Sequence, residues 1–242
     1  MTSTLHSFKA WLALLAVTVL AGCAHPIAVV PDQARLARSA DAPAPMPLRV
    51  GYHIPAALAD MEVTTPGGGG DNIRYFPYRD IDAGFEKMLS NVFSDIVKLP
   101  SIAKPAETAS SGVHYVIVPT IVTTSGGSGL FTWPPTSFSV DLTSQIRDPA
   151  GTLVASPRVV GFGSAETSER IFDHGIAGRR AMEDALLRMQ AALRETSFSG
   201  APAQRQRGTT SERLDQLKAL RERKDITEEE YEKKRKEILD AL

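Results

Sequence analysis

Side chains able to do chemistry are few in this chain, and they are scattered. Its five histidines, His6, His25, His53, His114 and His174, fall at no metal-ligand spacing with another histidine, cysteine or carboxylate. The serines lack a nucleophile elbow or a partnered histidine. The carboxylates are spread over helix surfaces, so no general acid and base can be paired. Gly67 to Gly70 could cradle a phosphate, but no Lys-Ser/Thr pair follows to open a helix, and the run Thr64 to Asn72 reads as a flexible connector. What remains is Cys23, the single cysteine in 242 residues. With no second thiol there is no intramolecular disulfide, and the core must rest on apolar burial.

The residues before Cys23 give that thiol a context. Lys9 supplies a positive start, Ala10 to Leu20 is a nearly unbroken apolar run with Trp11 and four leucines, and Ala21 and Gly22 lead into the cysteine. That is the pattern of an export signal. About eleven apolar residues fall well short of the roughly twenty that span a bilayer.

Leu20-Ala21-Gly22-Cys23 resembles the lipobox of bacterial lipoproteins. The resemblance implies that a signal peptidase reads Leu20, Ala21 and Gly22 and removes residues 1–22. Cys23 then carries a diacylglyceryl group on sulfur and a palmitate-type acyl chain on its amino group, with no other cofactor. Each buried CH₂ contributes about 0.8 kcal/mol, so two or three chains anchor stably where one does so marginally. Ala24, standing where an inner-membrane lipoprotein carries Asp, implies sorting to the outer membrane of a two-membrane cell, facing the periplasm. Unmodified, Cys23 would be a free thiol in an oxidising compartment, which is a liability.

Charge excludes one class of partner. The formal balance is −1, and loss of Lys9 with the signal leaves −2, so the positive field that draws in nucleic acid is absent. Residues 23–46, rich in Pro and Ala, show no sustained period and read as a lipidated tether.

From residue 47 to 196 the pattern is that of one globular domain. Leu48, Val50, Tyr52 and Ile54 alternate as a strand with one buried face. Asp80 is placed as an N-cap, and Ile81, Phe85, Met88, Leu89, Val92, Phe93 and Ile96 predict an amphipathic helix ending near Leu99-Pro100. Val113 to Thr124 is a β-branched strand with Pro119 at a bulge or edge. Phe138, Val140, Leu142 and Ile146 mark a half-buried strand, and Asp148-Pro149-Ala150-Gly151 turns it back into Leu153 to Phe162. A second helix is expected from about Ile176 to Glu195, with Met182, Ala185, Leu186, Met189 and Leu193 inward and Glu183 among the outward charges.

This order predicts an α+β fold: a four-stranded, mainly antiparallel sheet with two helices on one face (β-α-β-β-β-α), followed by a C-terminal helical hairpin. In topology the domain is similar to LptE-like envelope lipoproteins. Between the strands, Leu130, Phe131 and Trp133 lie in a glycine- and proline-bounded loop, either capping the core or offering an apolar contact to lipid or protein.

Residues 197–210 read as a linker. Ser211 to Leu242 holds nine basic and ten acidic side chains, with Leu214, Leu217, Leu220, Ile226, Tyr231, Ile238 and Leu239 in helical register. Thr227-Glu228-Glu229-Glu230 forms a capping box. Leu217-Lys218-Ala219-Leu220 and Ile226-Thr227-Glu228-Glu229-Glu230-Tyr231 resemble the SHOCT family of short C-terminal domains, which implies an interaction or oligomerisation module. Some thirty residues cannot bury a core of their own. The apolar face must therefore be shared, by docking on the sheet domain, with another copy of the chain or with an envelope protein partner, and the resemblance favours the last two.

The expectation is a non-enzymatic outer-membrane lipoprotein that presents its domain and tail to envelope components. One rival is a lipid- or glycan-binding protein using a groove between sheet and helices, with the Trp133 loop as lid. Another is a hydrolase whose site is assembled from distant residues.

Overall fold

The computed structural model describes residues 24–127, 133–170 and 172–198, and positions 217, 218, 221, 228, 231–233 and 235 of the C-terminal segment. Two compact units divide the chain, Met1–Phe198 and Ser199–Leu242. The first opens with β1 (Ala24–Pro26), β2 (Met46–Tyr52), α1 (Ala56–Ala59), β3 (Val63–Gly68), β4 (Asp71–Tyr75) and α2 (Pro77–Val92). It continues through β5 (Phe93–Lys98), α3 (Pro105–Ser110), β6 (Tyr115–Gly126), β7 (Ser137–Arg147), β8 (Leu153–Ala155), β9 (Arg158–Ser164), α4 (Thr167–Arg170) and α5 (Ile176–Glu195).

The architecture is mixed α+β, but the single four-stranded sheet is replaced by one sheet of six strands and another of three. In the larger sheet β2 runs parallel to both β5 and β6, while β7 runs antiparallel to β6 and pairs on its far side with β8 and β9. In the smaller, β4 lies between β3, antiparallel, and β1, parallel.

Two of these strands correct the sequence reading. The helix predicted to reach Leu99 stops at Val92, and Phe93–Lys98 becomes edge strand β5. Apolar residues at 92, 93 and 96 keep the helical period, and pairing with β2 overrides it. The connector Thr64 to Asn72 is a hairpin, with Gly68, Gly69 and Gly70 at positive φ in its turn, a conformation glycine adopts without steric cost. Asp80 is not an N-cap, since the helix begins three residues earlier with Pro77 in its first turn.

Elsewhere the periodicities hold. Leu48, Val50 and Tyr52 are buried, as are Phe138, Val140, Leu142 and Ile146 of β7 and the predicted inward face of α5. Pro119 sits in mid-strand at no cost to the ladder. On the same edge of β6, the Ile117 carbonyl accepts from His53 N–H and Ile121 N–H donates to the Tyr78 hydroxyl, whereas β2 has already ended at Tyr52. The missing donor of Pro119 therefore faces a gap between strands.

Helix α5 lies directly on β9. A Cβ at Gly161 would stand 2.3 Å from Ala185 N, and one at Gly163 would stand 2.1 Å from the Ala177 carbonyl oxygen. Ala177, Ala181 and Ala185, one turn apart and fully buried, supply the smooth stripe that permits this approach.

Candidate interaction surfaces

Residues 27–43 are a strap rather than the tether read from composition. Val29 and Leu36 are 0% and 1% exposed, inserted among the helices, and side chains from α2 and α5 hold the backbone between them. Val29 N–H donates to Asp80 Oδ2 at 3.0 Å and Asp32 N–H to Glu183 Oε1 at 2.9 Å. Asn91 Nδ2 donates to the Leu36 carbonyl at 2.7 Å, and Arg194 to that of Pro43 at 3.2 Å. Glu183, expected on the outer surface, is only 4% exposed and also meets Arg35 at 3.2 Å. Burial raises the Asp80 carboxyl above its ordinary value, and the bond from Val29 opposes that rise. Two acids breaking otherwise apolar helix stripes are the signal that composition concealed.

Ala24, the sorting position, opens β1 and pairs with Asn72. Next to it Trp133 is half-buried, stacked on His25 at 4.7 Å between ring centroids and tilted against His174 at 5.1 Å. A cleft of about 530 Å³ continues from there, lined by Pro26, Ala28, Val30, His174 and Arg179 and rimmed by Phe172, which is 92% exposed. The acids at this end have partners, Asp71 lying 3.5 Å from the His25 ring and Asp173 pairing with Arg179.

A second surface follows from the sheet register. Val122, Asp141 and Val160 are cross-strand neighbours, and Ser139 faces Phe162, all on the side turned away from α5. Val122 is 60% and Phe162 63% exposed. On the same side of the sheet, Leu99, Ile102 and Val113 cover Val116 and Val118, so the open patch is confined to β7, β9 and the far half of β6. Asp141 and Arg158 form an ion pair across it, which holds the Asp141 carboxyl below its ordinary value. The edge of β9 is closed, because Phe162 N–H donates to Asp184 Oδ2 at 2.9 Å. An edge so covered does not invite strand addition.

One cluster of titratable groups is a clamp. The Tyr52 hydroxyl lies 3.3 Å from Asp82 and 3.2 Å from Glu86, and Lys98 pairs with Asp82. Burial, then the two carboxylates, push the Tyr52 hydroxyl far up. It is therefore a hydrogen-bond donor that ties β2 to α2, unsuited to act as a base. His53 Nδ1 contacts the Leu99 carbonyl at 2.8 Å, and His114 lies against the Arg49 backbone at 3.3 Å. Among the described residues no three His, Cys, Asp or Glu side chains are placed to hold a metal, and no helix is long and apolar enough to cross a membrane.

At β9 the backbone of α5 meets that of the strand at Gly161 and Gly163 and leaves no groove there. A cleft of about 330 Å³ on the opposite side is lined by Ile102, Pro105, Val116 and Val118, and Trp133 is not among its walls. Leu20, Ala21, Gly22, Cys23, Leu130, Phe131, Leu214, Leu220, Ile226 and Ile238 lie outside the described residues. The first unit runs past the expected boundary at 196, since Phe198 packs on Phe93 at 5.4 Å and Tyr115 at 5.1 Å.

In the second unit Leu217 and Tyr231 are helical. The Arg221 guanidinium lies 4.3 Å from the Tyr231 ring centroid and 3.3 Å from Glu228. One straight helix would hold positions ten residues apart at about 15 Å along its axis.

No family model matches the chain, and no curated protein matches it. Several solved structures are distantly similar. A Xanthomonas campestris protein of family DUF330 is 15% identical over 71% of this chain and 91% of its own, with a TM-score of 0.39. Dodecameric PelC from Paraburkholderia phytofirmans is 16% identical over 61% of this chain and 96% of its own, TM-score 0.33. A candidate lipoprotein from Caulobacter crescentus is 12% identical over 54% and 86%, TM-score 0.30. Likeness this distant carries no functional argument.

Proposed function

We propose that this chain is a non-enzymatic bacterial lipoprotein of the outer membrane, facing the periplasm. Acyl chains on Cys23 hold the α+β domain at the membrane. The domain presents its open sheet patch and its C-terminal helical segment to another envelope protein or to a second copy of the chain. The observation that carries this reading is positional. The lone cysteine, preceded by an apolar export-type segment, stands one residue before a strand that is already part of the folded body. A lipid on that sulfur anchors the domain itself. No cofactor beyond that lipid enters the proposal.

Confinement to a surface raises the effective concentration of any partner within reach. The contact of Arg221 with Tyr231 and Glu228 supports reading Ser211 to Leu242 as a SHOCT-like hairpin. Its apolar face is too small to fold alone, which makes it the natural capture element.

Truncation after Thr210 tests the division of labour. In-cell cross-linking should lose the partner or self-adduct, while the circular dichroism melt of the remaining domain stays in place. Retention of every adduct would remove the tail from the mechanism.

A further inference from the structure

We infer that the anchored domain sits directly on the bilayer, with Trp133 and Phe172 in the lipid headgroup layer, instead of swinging from a flexible stem. This rests on the lipid-anchor reading of Cys23. One residue of chain reaches at most about 3.5 Å, and Ala24 is already paired with Asn72 in β1. The acyl-bearing residue therefore has no slack. Its glycerol belongs at the boundary between headgroups and hydrocarbon, and each headgroup layer is about 5–7 Å deep. Whatever surrounds Ala24 is held in that layer.

What surrounds it suits the place. Trp133 stacks on His25 at 4.7 Å, giving an amphipathic ring of the kind that collects at membrane interfaces. The patch continues through His174 to Phe172, 92% exposed, and to Val30, 49% exposed, across one cleft. A phenylalanine almost wholly in water is unfavourable, and contact with lipid removes that penalty. Of the two carboxylates at this end, Asp173 pairs with Arg179 and Asp71 lies 3.5 Å from the His25 ring, so each has a polar partner on the approaching surface. The strap fixes the rest: with residues 27–43 bonded to α2 and α5, lipid contact at this end orients the whole first unit.

The processed chain offers a direct probe. Of two tryptophans, Trp11 leaves with the signal, so emission reports on Trp133 alone. The mature protein, purified from membranes, is weighed intact and reconstituted into phosphatidylethanolamine–phosphatidylglycerol vesicles brominated near the headgroup end of the acyl chains. Flotation and emission are read on the same sample. The expected result is a lipid-bearing mass, co-flotation, and emission reduced by half or more relative to unbrominated vesicles. Phe172→Glu, at a site too exposed to disturb the fold, should still float and lose most of that quenching. A lipid-bearing protein that floats without quenching overturns the seating and leaves the anchor standing. An unmodified thiol that does not float overturns the anchor and the seating with it.

Discussion

Replacing Gly163 by Ala should destabilise the domain far more than one methyl group suggests. The new Cβ would lie 2.1 Å from the Ala177 carbonyl oxygen and 2.5 Å from Ala181 N, where ordinary contacts begin at about 3.5 Å. Both obstacles are backbone, so no rotamer change relieves them. Helix α5 must retreat by about 1 Å, and a gap of that size already forfeits up to half of each dispersion contact. The contacts at risk belong to Met182, Leu186 and Met189, all fully buried. Overpacking ordinarily costs about 1–3 kcal/mol, and a backbone-to-backbone clash belongs at or above the top of that range. With a urea m-value of about 1–3 kcal/mol/M, the unfolding midpoint should fall by at least about 1 M. Urea titration of the mature protein in detergent, followed by far-UV circular dichroism, reads this directly. Ser164→Ala, one residue along on the exposed side, is the control and should stay within about 0.5 kcal/mol. A Gly163→Ala midpoint equal to that control would mean that α5 does not lie on β9, and the identity of the open sheet face would fall with it.

Val29→Ala should cost about 2 kcal/mol through the cavity it leaves and should speed protease cleavage within residues 27–43; a free tether would show neither effect. Acid should weaken the domain through pairs that hold carboxylates low. Arg180 holds the Glu169 carboxyl down at about 2 from an ordinary 4.5. Its contribution is therefore complete above about 4.5 and is lost as pH falls from there toward 2. Arg180→Gln should flatten that part of the pH-stability curve, and an unchanged curve would show the pair to be inert. Asp80, raised by burial, acts with the opposite sign: its protonation favours the folded state.

Where one face is buried and the other wet, periodicity alone was legible. Strand β7 keeps a strict period of two because one side meets the core and the other faces the patch around Asp141. Helix α5 was readable for the same reason, up to one charge. Glu183 looks like a surface residue by type, and only the strap laid over it, with Asp32 N–H pointing at its carboxylate, explains its burial. The strap itself is held by single apolar residues and by side chain to backbone bonds, neither of which leaves a period. β5 is hidden in the sequence because Val92, Phe93 and Ile96 continue the helical spacing, and only pairing with β2 sets Phe93–Lys98 in a strand. The hairpin of β3 and β4 hid behind its glycines, although Ile73 and Tyr75, two residues apart and fully buried, carry a strand's alternation. Gly161 and Gly163, two apart in a strand, mark one face onto which a helix backbone can close.

The most direct measurement is the intact mass of the protein extracted from membranes of cells that express the full chain. A mature chain beginning at Cys23, heavier than its sequence by a diacylglyceryl group and one further acyl chain, is the predicted result. A chain cleaved elsewhere, or bearing an unmodified thiol at position 23, would contradict the account at its root.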